Sequence, residues 1–191
     1  MSDKIEINSV YIEELTSLIE AQNSKELISR IEKLHIADIA EIIEALLLEN
    51  AKYLFELISE EKKSAAVLVE LEDDIREELL EDLSAQEIAE EVIDNLESDD
   101  AADLIGELSK VKKEEVLSHI EDEELASDIS DLLNYPEDTA GGLMAKELIK
   151  VNENWNTVKC IKEMRNQADD VKKFYTIYVV DDNDKLLGLL S

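Results

Sequence analysis

The residues of this sequence best suited to chemistry are two carboxylates one helical turn apart. Asp99 and Asp103 lie in the run Ser98-Asp-Asp-Ala-Ala-Asp103. Their i, i+4 spacing puts both side chains on one face of a helix. A hard divalent cation suits such a pair, because Mg2+ takes one or two carboxylates and keeps several of its waters. A second reading fits the same residues: first-turn acids complement the positive end of the helix dipole, at about 0.3–1 kcal/mol each. On spacing alone the second reading is favoured, since acids in a first turn are common. Asp100 is adjacent but points to another face.

The remaining reactive side chains do not converge. His35 and His119 are far apart, and no His/Cys spacing suits zinc. Cys160 sits among Val158, Ile161 and Met164 and reads as a core residue. Trp155 reads as a packing staple at the helix start that follows it. The turn Asp181-Asp182-Asn183-Asp184 lacks the glycine and distal glutamate of a calcium loop, so it reads as a hairpin turn. There is no phosphate-binding glycine loop, nucleophile elbow or Ser/His/Asp arrangement. The chain is expected not to be an enzyme.

The elements that position these residues follow from a repeat. Large apolar residues recur every twelve or thirteen positions, at Leu34, Leu46, Ile58, Leu71, Leu83, Leu96, Leu108, Ile120 and Leu132. Between them apolar residues fall at helical spacing, as in Ile36, Ile39, Ile42 and Ile43, or Ile88, Val92 and Ile93. One period holds one short helix and a tight turn. Ser59, Ser84 and Ser98 read as helix N-caps, and Ser84 with Glu87 has capping-box spacing. Pairs of such helices are expected to stack into a right-handed superhelix of hairpins, each burying its apolar face on the next.

The pattern changes near Tyr135-Pro136, the only proline. Ile149 to Val151 reads as a strand. Asn156 caps a helix running to about Gln167. Phe174 to Val180 reads as a second strand, and Leu186 to Leu190 as a third. The order β-α-β-β lacks a second helix to cover the sheet. The chain is therefore expected to be part of a longer protein.

Charge follows the same division. Residues 1–134 carry 39 acids against 11 bases, and residues 135–191 carry 10 against 8, within a formal net charge of −30. Such a surface argues against nucleic acid and anionic lipid as partners, and favours cations or a basic protein. A single cysteine and a polar N-terminus fit a reducing cytoplasm. No apolar run approaches the ~20 residues needed to span a bilayer.

Tyr135-Pro-Glu-Asp-Thr-Ala-Gly-Gly-Leu-Met144, followed by Tyr178-Val-Val-Asp181 and Leu186-Leu-Gly-Leu-Leu-Ser191, resembles the junction and first CBS motif of MgtE-type magnesium transporters. The acidic array before it resembles that family's N domain. The resemblance implies a mostly α fold: an N-domain-like superhelix at residues 1–134, a junction at 135–148, and a partial α/β CBS segment at 149–191. It implies a Mg2+-sensing regulatory role, in which ions held between the N and CBS domains favour a compact state and a closed pore. It reverses the odds at Asp99 and Asp103 in favour of metal ligation. It adds Gly142 as the junction residue whose backbone carbonyl lines the same site. Other divalent cations are further candidates. Implied partners are the remainder of the transporter (second CBS motif, connecting helix, transmembrane pore) and a second copy in a homodimer. The implied location is the cytoplasmic side of the membrane. The chain departs from the family after Met144, where Ala145-Lys146 stands in place of the usual Thr-Pro. Two other readings remain open: a helical protein-docking scaffold similar to flagellar motor-switch repeats, and a CBS-type adenine-nucleotide sensor.

Overall fold

The computed structural model of the chain describes residues 7–136, 138–167 and 176–190. Its helices are α1 (Ser9–Glu20), α2 (Ser24–Ile31), α3 (Ile36–Ala45), α4 (Leu48–Glu56), α5 (Glu61–Glu70), α6 (Asp73–Glu81), α7 (Ala85–Glu87), α8 (Ser98–Glu107), α9 (Lys110–His119), α10 (Glu123–Leu132) and α11 (Thr157–Gln167). The helix begun at α7 widens into a π-turn over Ile88–Val92 and tightens into a 3-10 turn over Ile93–Asn95. Three strands follow the array: β1 (Ile149–Asn152), β2 (Ile177–Val180) and β3 (Leu186–Leu190). The chain is mostly helical, as the periodicity predicts. It divides into two compact units, Met1–Leu96 with Asp100–Ser127, and Glu97–Asp99 with Asp128–Ser191.

In the first unit the twelve-residue anchors have one structural job. Leu34, Leu46, Ile58, Leu71, Leu83, Leu96 and Leu108 each donate their backbone N–H to the carbonyl three residues back, closing the preceding helix. The side chain then turns inward: Leu34, Leu46, Leu71 and Leu96 are buried, and Ile58, Leu83 and Leu108 half-buried. An apolar residue at each turn therefore ends a helix and fills the core in one step. Alternate helices stack, with α3 on α5, α5 on the π-turn, and α7 and the π-turn on α9. Stacking is needed because helices of about ten residues are marginal alone in water. Ile39, Ile42, Ile43, Leu68, Ile88 and Ile93 are fully buried along this seam.

Helix starts are more varied than the serines suggest. Ser84 forms the expected capping box with Glu87, accepting its N–H while the glutamate accepts the N–H of Ser84. Ser59 does not cap α5, whose N-cap position falls on Glu60 and has no side-chain hydrogen bond. His35 caps α3, its Nδ1 accepting the N–H of Ala37 at 3.3 Å.

In the second unit β1 and β2 pair in parallel across α11, and β2 and β3 pair antiparallel with a bulge at Val179/Val180. The second strand starts at Ile177, with Thr176 outside it; Phe174 and Tyr175 lie outside the described residues. Asp181 Oδ1 accepts the N–H groups of Asn183 and Lys185, so the acidic turn is a self-satisfied hairpin turn. Asn156 caps α11 through the N–H of Lys159. The Trp155 ring lies 4.2 Å from the Lys159 ammonium in a cation–π contact. Cys160 corrects an expectation: it is half-buried, and no described residue of α11 is fully buried. Val158 is 79% exposed, so the apolar stripe of that helix is not core among the described residues.

Candidate divalent-cation site on helix α8

Helix α8 has the sequence Ser98-Asp-Asp-Ala-Ala-Asp-Leu-Ile-Gly-Glu107. Ala101, Ala102, Leu104 and Ile105 are buried and fix its rotation about its axis. Asp99 is then half-buried and Asp103, one turn on, exposed. Asp99 Oδ1 is shielded from solvent yet has no hydrogen-bond partner, one of two such side-chain atoms among the described residues. A carboxylate oxygen stripped of water without compensation is costly. A cation beside it would supply the missing partner.

Each end of α8 is held by a different device. At its last turn Glu107 receives both Arg76 Nε at 2.8 Å and Arg76 Nη2 at 2.6 Å, a two-pronged pair of the strongest kind. Arg76 is 9% exposed and also donates to Asp73 and to the carbonyls of Leu68 and Val69. Lys113 Nζ donates to the Gly106 carbonyl, where a cation complements the helix terminus.

At the first turn, Ser98 is the opening helical residue and fully buried, which corrects its reading as the N-cap. Its N–H donates to Glu147 Oε1 and its hydroxyl to Glu147 Oε2, both at 2.8 Å, while its Oγ accepts the N–H of Lys146 at 3.0 Å. The Lys146 ammonium lies 3.1 Å from Asp131 and 3.7 Å from Asp128 on α10. The bond to Asp131, with the charge of Asp128 behind it, pushes the Lys146 pKa up. Nothing in the sequence marks Glu147 as a partner of a residue 49 positions away.

Gly142 lies in the turn before β1 and donates its N–H to Thr139 Oγ1 at 3.3 Å. The preceding Gly141 must be glycine, because a Cβ there would sit 2.7 Å from Cγ of the Tyr135 ring. Among the described residues no three His, Cys, Asp or Glu side chains gather as a metal-holding group. Two carboxylates one helical turn apart suit a largely hydrated ion such as Mg2+.

Farther along the first unit, the carboxyl of Asp94 is held above the usual aspartate range, by burial first and then by the negative charges of Glu121, Asp122 and Glu90. No described helix is long and apolar enough to cross a membrane.

Similarity to known proteins bears on this geometry. Residues 34–138 match the MgtE intracellular N domain family, and residues 140–191 match the CBS domain. The chain is 35% identical over 94 residues to the magnesium transporter MgtE of Thermus thermophilus, a match covering 47% of this chain and 21% of that protein. It is 35% identical over 68 residues to the magnesium transporter MgtE of Enterococcus faecalis, covering 36% and 15% respectively. The matches thus span about a fifth or less of those relatives. Two solved structures share the fold at 26% identity over 94% of this chain. One is the soluble part of a magnesium transporter, with TM-score 0.73 over 70% of that chain. The other is the cytosolic domain of the Mg2+ channel MgtE in complex with ATP, with TM-score 0.82 over 73% of that chain. An MgtE intracellular N domain over residues 34–138, followed by a CBS domain over 140–191, makes this chain a member of the MgtE family.

Proposed function

We propose that the chain is the Mg2+-sensing regulatory part of a magnesium transporter or channel, lying on the cytoplasmic side of the membrane. Residues 1–134 are the acidic sensing domain, 135–148 the junction and 149–191 a partial CBS domain. Asp99 and Asp103 are the carboxylate ligands and Gly142 contributes its backbone carbonyl, with water completing the shell. The observation that carries this reading is the buried, unpartnered Oδ1 of Asp99, one turn before Asp103 on α8. The concentration of 39 acids against 11 bases in residues 1–134 supports it, because that charge is self-repelling until cations arrive.

The mechanism is linkage. An ion that binds one arrangement of the sensing and CBS domains better than another shifts the population toward it, by no more than its difference in affinity. Held ions favour the compact, closed state; falling Mg2+ releases it. The full protein works with a second CBS motif, a connecting helix, a transmembrane pore and a second copy of itself. Isothermal titration of the full chain with MgCl2 tests the site. Asp99→Asn and Asp103→Asn should each remove one class of millimolar binding, and unchanged isotherms in both would refute the assignment.

A second reading is favoured by the ATP-bound neighbour and the CBS match: adenine-nucleotide binding by the CBS portion. A thermal-shift titration with ATP and AMP on a protein carrying both CBS motifs separates it from ion sensing, because nucleotide should stabilise with Mg2+ held constant.

A further inference from the structure

We infer that Glu147 is a positioning residue for the α8 cation site, acting through Ser98 to fix the direction of Asp99. This inference rests on the cation-site reading above and names what tunes that site.

The first amides of a helix have no partner within it, and a side chain just upstream normally supplies an acceptor. Here the acceptor comes from Glu147, 49 residues downstream. Its two oxygens are spent on one residue, taking the N–H and the hydroxyl of Ser98 at 2.8 Å each. The Ser98 hydroxyl oxygen in turn accepts the Lys146 N–H. Ser98 is 0% exposed and held by three hydrogen bonds, and any other rotamer would forfeit the two made by its hydroxyl.

Asp99 is the next residue. With Ser98 held at backbone and side chain, the first turn of α8 has one conformation, and Asp99 Oδ1 stays shielded and unpartnered instead of turning to solvent. An isolated helix start would fray, and a frayed Asp99 would recover its water and lose its pre-set direction. Both oxygens of Glu147 accept from Ser98, so its contact with the α8 site runs through that residue. The Lys146 ammonium, paired with Asp131 and Asp128, anchors the Lys146–Glu147 segment from the other side. Groups that orient metal ligands in this way typically change affinity about 10- to 100-fold when altered.

The test is Mn2+ binding followed by electron paramagnetic resonance on the full chain, comparing wild type with Asp99→Asn, Glu147→Gln, Glu147→Asp and Ser98→Ala. Glutamine can accept only one of the two Ser98 donors, so Glu147→Gln should weaken the Asp99-dependent site about 10-fold. Glu147→Asp, which keeps the carboxylate, should recover part of the loss. Ser98→Ala removes only the hydroxyl bonds; it should weaken the site less, and it serves if the glutamine variant folds poorly. If Asp99→Asn abolishes a site that Glu147→Gln and Ser98→Ala leave within about 2-fold of wild type, the inference is overturned and the site reading stands. A lowered Tm with unchanged affinity has the same meaning, since Glu147 is then only structural. If Asp99→Asn changes nothing, the site reading falls and takes the inference with it.

Discussion

Arg76→Met replaces the most heavily engaged cation of the helical array with a side chain that keeps its apolar stem. The change removes two bonds to Glu107 at 2.8 and 2.6 Å and one to Asp73. It also removes two longer bonds to the carbonyls of Leu68 and Val69. Breaking a fully buried ion pair costs about 3–5 kcal/mol, because the survivor is left charged and unpaired. The Glu107 side chain keeps 31% of its exposure and so recovers part of its hydration. The expected loss is therefore about 2–3 kcal/mol. For a chain of this size that lowers Tm by about 5–10 °C. Far-UV circular dichroism melts follow it, since the signal is dominated by helix. A double-mutant cycle with Glu107→Gln should return a coupling of at least about 1 kcal/mol, because the pair is two-pronged and mostly shielded. A shift below about 0.5 kcal/mol for Arg76→Met, the range of ordinary surface changes, would refute the view that this cluster clamps the last turn of α8.

Two further outcomes are expected. Ser84→Ala breaks both halves of the capping box and should cost about 1 kcal/mol in urea denaturation; no measurable change would mean that the helix start is held by tertiary packing alone. Asp94→Asn should raise Tm at neutral pH, because burial and the charges of Glu121, Asp122 and Glu90 raise the folded-state pKa. For a raised pKa, stability is fully present below the unfolded value and lost as pH rises through the folded one. The variant and wild type should therefore converge as the pH falls below the ordinary aspartate range. A difference that persists at low pH would point to a cause other than charge.

What could be read from the sequence was what depends on near neighbours. The anchors from Leu34 to Leu108 were legible because ending a helix and filling the adjacent core are both local tasks of one apolar side chain. The capping box at Ser84 was legible for the same reason. Ser59 and Ser98 misled because a serine before acids is only an opportunity to cap. Ser98 instead found its partner 49 residues away, and Ser59 gave way to Glu60 at the N-cap position. Cys160 and Val158 had helical spacing for a core, but spacing says which residues share a face and not whether anything covers it. At the candidate site, the spacing of Asp99 and Asp103 was visible. The stranded Oδ1 of Asp99 was not, because it depends on how the first turn of α8 is packed.

Amide hydrogen exchange across α8, with and without millimolar MgCl2, addresses Mg2+ sensing most directly. Binding to the folded state suppresses local opening by RT ln(1 + [L]/Kd), so protection should rise where the ion is held. Exchange at Asp99 to Asp103 should slow with MgCl2 in wild type and stay unchanged in Asp99→Asn, with KCl at matched ionic strength as control. Equal exchange across α8 with MgCl2 and with KCl would contradict Mg2+ sensing at this helix.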